Sequence, residues 1–216
     1  MSKTKISRMT LFLIPVCIAI NLVGGQLAII LKLPVYLDAI GTIIAGGLCG
    51  PIPGVAVGLL TNLINAISLP TVLGYAVINV VFGLVSAFLS RKKMFTSLPK
   101  ILCSAVIFAV LACSMAIPIT VNFFGGFVGT GATVIVSSLM AMGWDVLPAT
   151  VVSELSTELL DKFCTMLICF FILKSISSRF LVKLPYGEIY IKKSPAANPE
   201  QAQTGQDAPS EEQDKT

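Results

Sequence analysis

The sequence predicts an all-α integral membrane bundle, and three observations predict it. Hydrophobic residues make up 55% of the 216 and charged residues 12%, with a mean hydropathy of +0.90; soluble domains average about 45–50% apolar and about 25% charged. The apolar residues fall into six stretches of roughly 16 to 26 residues, near the ~20 that a helix needs to cross a hydrocarbon core of about 30 Å. Lysine and arginine gather on one side when six spans are drawn through those stretches.

In chain order the expected spans are 9–31, 35–49, 52–69, 71–90, 98–123 and 149–174. The first follows Lys3, Lys5 and Arg8, yet its apolar run is longer than that of a signal peptide and lacks an Ala-x-Ala site, so it is expected to remain as a helix. The second and third are short and meet at Gly50-Pro51-Ile52-Pro53-Gly54. Two prolines remove amide donors there and the first glycine can take positive φ, which predicts a tight hairpin, with a single kinked helix as the competing form. The domain is expected over 1–185, followed by a polar tail over 186–216. From Ser194 onward no large apolar side chain occurs, so the tail is expected to be disordered.

Orientation follows from the basic residues. With six spans, Lys3, Lys5, Arg8, Arg91, Lys92, Lys93, Lys100, Lys174, Arg179, Lys183, Lys192 and Lys193 share one side, while Lys32 falls on the other. Positive charge marks the cytoplasmic side, so both termini are expected in the cytoplasm of a prokaryotic cell whose plasma membrane the chain crosses several times. The net charge of +4 is then explained by insertion signals and contacts with lipid headgroups, and no nucleic-acid partner is expected.

Several chemistries are disfavoured. Histidine is absent, which removes Ser-His-Asp and Cys-His nucleophilic sets and His-based zinc sites. Cys17, Cys49, Cys103, Cys113, Cys164 and Cys169 sit in or at the ends of apolar spans without a Cys-x-x-Cys pair, as small packing residues do. The glycine-rich run over 125–131 superficially resembles a phosphate loop, but no strand precedes it, and a flexible loop is expected. No catalytic set, metal site or cofactor is expected, and the chain is read as a non-enzyme.

The most informative polar residues are Glu154, Glu158 and Asp161, at i, i+4 and i+7 of the last span, so all three share one helical face. A carboxylate near hydrocarbon costs a few kcal/mol, and this face therefore needs a partner, a cavity or a substrate. Asp38 opens the second span, Asn62 and Asn65 close the third, and Tyr75 and Asn79 open the fourth, so with six spans all lie at the depth of Glu154 and Glu158. A substrate pocket open to the outside is expected from Asp38, Asn62, Asn65, Tyr75, Asn79, Glu154 and Glu158, with Glu154 and Glu158 nearest the ligand and Asp161 deeper. The alternative is a structural network across helices in which Lys162, at i+4 from Glu158, neutralises one acid. The long connection over 122–148 contains the single tryptophan, Trp144, read either as an interface anchor or as a lid residue of the pocket. Small residues four apart, such as Gly54 with Gly58 and Gly46 with Gly50, allow close helix approach or the docking of another subunit.

The stretch LPVYLDAIGTIIAGGLCGPIPGVAVGLLTNLI over 33–64 resembles the substrate-capture (S) components of energy-coupling-factor (ECF) vitamin transporters. Shared traits are an acidic residue opening the second span, a Gly-Pro hairpin, a glycine-rich third span ending in Asn, six spans and a long outer loop before the last helix. The resemblance implies a micronutrient-binding membrane subunit that works with a transmembrane coupling subunit and two ATPases. Many members carry an Ala-xxx-Ala docking pair in the first helix, whereas here Ala19 has Pro15 and Val23 at that spacing, so Gly54 and Gly58 become the docking candidates. Two rival readings are a proton- or cation-coupled secondary transporter, which would titrate Glu158 or Asp161, and a membrane sensor module. Three acids with one nearby lysine favour a ligand with positive charge or several donors, and Trp144 with Tyr75 would suit a ring such as a vitamin or nucleobase-like heterocycle.

Overall fold

The computed structural model describes residues 7–191, and among these no strand occurs. The helices are α1 (Arg8–Ile30), α2 (Ile40–Cys49), α3 (Pro51–Asn65), α4 (Ala76–Arg91), α5 (Leu98–Phe124), α6 (Gly131–Ala141), α7 (Val146–Ser175) and α8 (Ser178–Leu181). Two 3-10 turns, Pro70–Tyr75 and Gly187–Tyr190, precede α4 and follow α8. Three helical stretches, Arg8–Ile30, Pro70–Arg91 and Leu98–Phe124, are long and apolar enough to cross a membrane; α2, α3 and α6 are apolar but shorter. Helix α7 has 30 residues, and its charged face sets it apart from those three.

Outward-facing positions are apolar: Leu11, Phe12, Val23 and Leu27 on α1, Ile52 and Leu63 on α3, and Val106 and Val110 on α5 are all exposed. Contiguous apolar exposure on this scale is rare on soluble monomers and suits a lipid surround. In that surround helix association comes from close packing and hydrogen bonds rather than from exclusion of water. The bundle is built accordingly around α2, whose ten residues are all buried and which packs on α1, α3, α4 and α7.

The expected hairpin forms. Helix α2 ends at Cys49, Gly50 takes φ +101°, and α3 begins on Pro51, where the missing amide costs no hydrogen bond. The two helices then lie so close that a Cβ on Gly54 would stand 2.8 Å from the Cα of Gly46 and 2.9 Å from the carbonyl of Gly83 in α4. A Cβ on Gly58 would meet the backbone of Asn79, 2.7 Å from its carbonyl oxygen. Gly54 and Gly58 thus spend their close approach inside the chain, on α2 and α4, which corrects their reading as a docking face.

Sequence-drawn boundaries shift where side chains compete for backbone groups. Residues 35–39, expected to be helical, lie outside α2, because the amides of Tyr36 and Leu37 are taken by the Asp161 carboxylate, at 2.8 Å each. With no side-chain cap of its own, α2 receives help at its first turn from α1: Asn21 Oδ1 accepts the Gly41 amide at 2.6 Å. The Asn21 amide donates in turn to Thr42 and Thr61, at 2.9 and 3.1 Å, so one buried side chain joins α1, α2 and α3. Helix α3 stops at Asn65 rather than at 69, since Pro70 holds Leu69 in an extended conformation.

The connection over 122–148 is partly helical, its apolar middle forming α6, which packs on α7. Its glycine-rich part is a structured turn, in which Thr133 Oγ1 accepts the amides of Val128 and Gly129 at 3.1 and 3.0 Å. At the other end of the bundle, residues expected to open a disordered tail are anchored. The amide of Tyr186 donates to Leu48 O at 3.0 Å, and the Tyr190 hydroxyl lies 2.7 Å from that of Ser90, itself bonded to Gly47 O. The domain therefore continues at least to Ile191, and the tail beyond it lies outside the described residues.

Candidate functional site

Five elements place polar groups at one end of the bundle. They are the connection before α2 (Tyr36, Asp38), the C-terminal turn of α3 (Asn62, Asn65), the start of α4 with its 3-10 turn (Thr71, Tyr75, Asn79), the last turns of α5 (Thr120) and α7 up to its middle (Glu154, Glu158, Asp161, Lys162). The basic residues Arg91, Lys92, Lys93, Lys100 and Lys174 lie at the opposite ends of the same helices.

Between the connection before α2, the start of α4, the 128–130 turn and α7 lies a cavity with about 60 Å³ of space for the centres of water molecules. One water needs roughly 10–15 Å³ of such space. Asp38, Tyr75, Asn79 and Glu158, all expected from sequence, line it together with Tyr36, Thr71, Phe82, Thr130 and Lys162. A smaller cavity adjoins it across Tyr36 and Asp38 and is bordered by Asn65 and Gly25.

Other expected residues stand one layer back. Asn62 accepts the Asn79 amide at 2.5 Å and donates to Val72 O at 2.8 Å, which sets the orientation of Asn79. Asn65 accepts from Gln26 of α1 at 3.1 Å. Glu154, expected to be nearest the ligand with Glu158, instead lies behind Tyr36 with a partner on each oxygen: Oε2 accepts the Tyr36 hydroxyl at 3.2 Å and Oε1 accepts Thr120 Oγ1 at 2.8 Å. Asp161 holds the backbone of the α1–α2 connection with one oxygen and Lys162 with the other. Trp144 is half-exposed and does not line the cavity. It precedes α7, fourteen residues before Glu158, and at ~1.5 Å per residue that is about 21 Å along the axis.

Lys162 is the residue whose weight the sequence understated. It is buried, 2.8 Å from Glu158 Oε2 and bonded to Asp161 Oδ2, with its ammonium 4.9 Å from the Phe82 ring centroid. An ammonium shared by two carboxylates and a ring face is what a desolvated lysine requires. The i+4 spacing from Glu158 was a legible signal for this pair. Tyr36 and Thr130 carried none, since both reach the cavity from connections without periodicity.

Three connections roof the cavity. Thr71 Oγ1 donates to Val128 O at 2.8 Å, Lys32 Nζ donates to Gly129 O at 3.1 Å, and Gly131 packs so tightly on the Leu33 carbonyl that a Cβ would overlap it. The resulting arrangement is a partly open space with fixed acceptors, a stacked aromatic pair at its edge (Tyr75 and Phe124, centroids 5.9 Å apart) and apolar walls below. Compared with protein-family models, with curated proteins and with solved structures, the chain shows no significant match.

Proposed function

We propose that this chain is the high-affinity substrate-binding membrane subunit of an ECF-type ABC importer. It takes up a vitamin, a cofactor precursor or a related small heterocycle from outside a prokaryotic cell. The observation that carries the reading is the polar cavity at one end of an apolar bundle, with Arg91, Lys92, Lys93, Lys100 and Lys174 at the other end. Positive charge marks the cytoplasmic side, so six crossings put the cavity at the outer face and both termini inside. Release and energy then come from partners, a transmembrane coupling subunit and two ATPases, as in the family that 33–64 resembles.

A proton- or cation-coupled carrier is the second reading, and one feature favours it: Glu158 is a buried acid that lines the cavity within a membrane-length bundle, 2.8 Å from the Lys162 ammonium. The two readings separate in a single comparison. For the importer subunit, native mass spectrometry of the purified chain finds a retained small molecule, rebinding needs neither ATP nor an ion gradient, and liposomes with the chain alone do not accumulate it. Uptake by the chain alone, driven by pH or sodium, sinks the importer reading.

A further inference from the structure

We infer that the cavity takes an organic cation carrying several N–H donors, of the amidine or amino-heterocycle kind, because the side chains around it have spent most of their donors on one another and keep several acceptors free. This assignment rests on the cavity being a small-molecule site. The Tyr36 hydroxyl goes to Glu154 at 3.2 Å, and the Thr71 hydroxyl to Val128 O at 2.8 Å. Asn79 Nδ2 donates to Asn62 Oδ1 and to Asp38 Oδ2, the latter at 3.3 Å, which uses both amide hydrogens and leaves its Oδ1 as an acceptor.

Proton counting settles the direction of the Tyr75 bond. Tyr75 and Thr120 hydroxyls lie 2.6 Å apart, and Thr120 has one hydrogen, which goes to the Glu154 carboxylate at 2.8 Å. A carboxylate only accepts, so Tyr75 must be the donor to Thr120, and its phenolic oxygen has only lone pairs left. Lys162 is engaged by Asp161, Glu158 and the Phe82 face.

What remains is acceptor capacity. Asp38 holds a single long bond from a side chain, Glu158 has the Lys162 ammonium at 2.8 Å as its side-chain partner, and Asn79 Oδ1 and the phenolic oxygens add neutral lone pairs. The Thr130 hydroxyl is an independent sign of a missing partner, able to donate one hydrogen as well as accept: it lines the cavity, the residue is 9% exposed, and Oγ1 bonds to nothing. Asp38 and Glu158 line this space beside the Lys162 ammonium, with the carboxylates of Glu154 and Asp161 one layer back and Lys32 Nζ on the roof. A ligand that brought more acceptors or negative charge would leave buried lone pairs facing one another, whereas a donor-rich cation satisfies them.

The test uses three molecules of one shape: benzamidine, benzamide and benzoate, as cation, neutral amide and anion. Each is added at millimolar concentration to the full wild-type chain freed of retained ligand, and thermal unfolding is followed by Trp144 fluorescence. Benzamidine should raise the unfolding midpoint, benzamide less, and benzoate not at all. In a titration of Asp38→Asn the benzamidine affinity should fall roughly tenfold, the loss of one charge-assisted bond. Benzoate or benzamide stabilising as well as benzamidine overturns the assignment, and so does silence from all three. The wild-type series decides between these outcomes even if the variant fails to fold. Identifying the retained molecule tests the cavity separately: an anionic or donor-poor molecule found there ends the cation assignment and leaves the binding role standing.

Discussion

Asp161 accepts the backbone amide of Tyr36 at 2.8 Å, across 125 residues of sequence, and so fixes the connection above the cavity to the middle of α7. The same oxygen takes the Leu37 amide, and Leu37 adopts a left-handed φ of +53° that the bond helps to hold. Asp161→Ala should therefore destabilise the chain by about 3 kcal/mol or more, since it strands both amides and one partner of the buried Lys162 ammonium. Thermal unfolding in detergent reads the effect. A change within experimental error would mean that this contact does not organise the connection.

Ligand affinity divides the acids by their partners. Glu158→Gln should weaken binding of the retained ligand about tenfold with little change in fold, the size of one charge-assisted hydrogen bond. Trp144→Phe should leave affinity unchanged, because the indole lies outside the cavity. Titration of both variants with the molecule identified by mass spectrometry checks this pair of outcomes. Loss of binding in Trp144→Phe with retention in Glu158→Gln would move the site to the α6–α7 junction.

Packing of α2, α3 and α4 leaves no room for a methyl group. A Cβ at Gly83 would overlap the backbone of Gly54 and Val55, which is not a flexible neighbour. Gly83→Ala should cost about 1–3 kcal/mol through forced backbone shifts, and Gly54→Ala a similar amount. The measurement is the unfolding midpoint together with the yield of monodisperse protein. Wild-type behaviour in both variants would contradict the close approach of these helices.

Topology can be read from one helix. Met142 and Thr96 are both exposed and lie on either side of α5, with α6 returning near the cavity end. In a cysteine-free background, Met142→Cys should react with an impermeant maleimide on whole cells, and Thr96→Cys only after permeabilisation. Reaction of Thr96→Cys on intact cells would reverse the orientation that the basic residues indicate.

The C-terminal segment is expected to hold the opposite end of the bundle shut. Tyr190→Phe removes the bond to Ser90 and should cost on the order of 1 kcal/mol. Gly187→Ala should cost more, because its Cβ would overlap the Leu181 carbonyl. Protease sensitivity beyond Leu181 gives the readout: accelerated cleavage in both variants is expected, and unchanged cleavage would mean the segment is held by apolar contacts alone.

The sequence by itself determined what local chemistry and periodicity can encode. The apolar runs became helices within a few residues of where they were drawn. The Gly50-Pro51 hairpin formed because its backbone requirements are local, and Glu154, Glu158 and Asp161 share a face because 3.6 residues make a turn. Depth was legible too, since Asp38, Asn62, Tyr75 and Asn79 had to lie at one end once the spans were set. Only the tertiary structure decided which of these atoms face empty space. Hydrogen-bond partners are chosen across the fold: Tyr36 finds Glu154 over 118 residues and turns it from a ligand contact into a support. Lys162 likewise turns from a neutralising neighbour into the charge around which Glu158, Asp161 and Phe82 are arranged. The choice between anchor and lid for Trp144, and between internal packing and docking for the glycines at 54 and 58, was open for the same reason. A helical repeat fixes a residue's angle on its own helix, but what that face meets depends on helices far away in the chain.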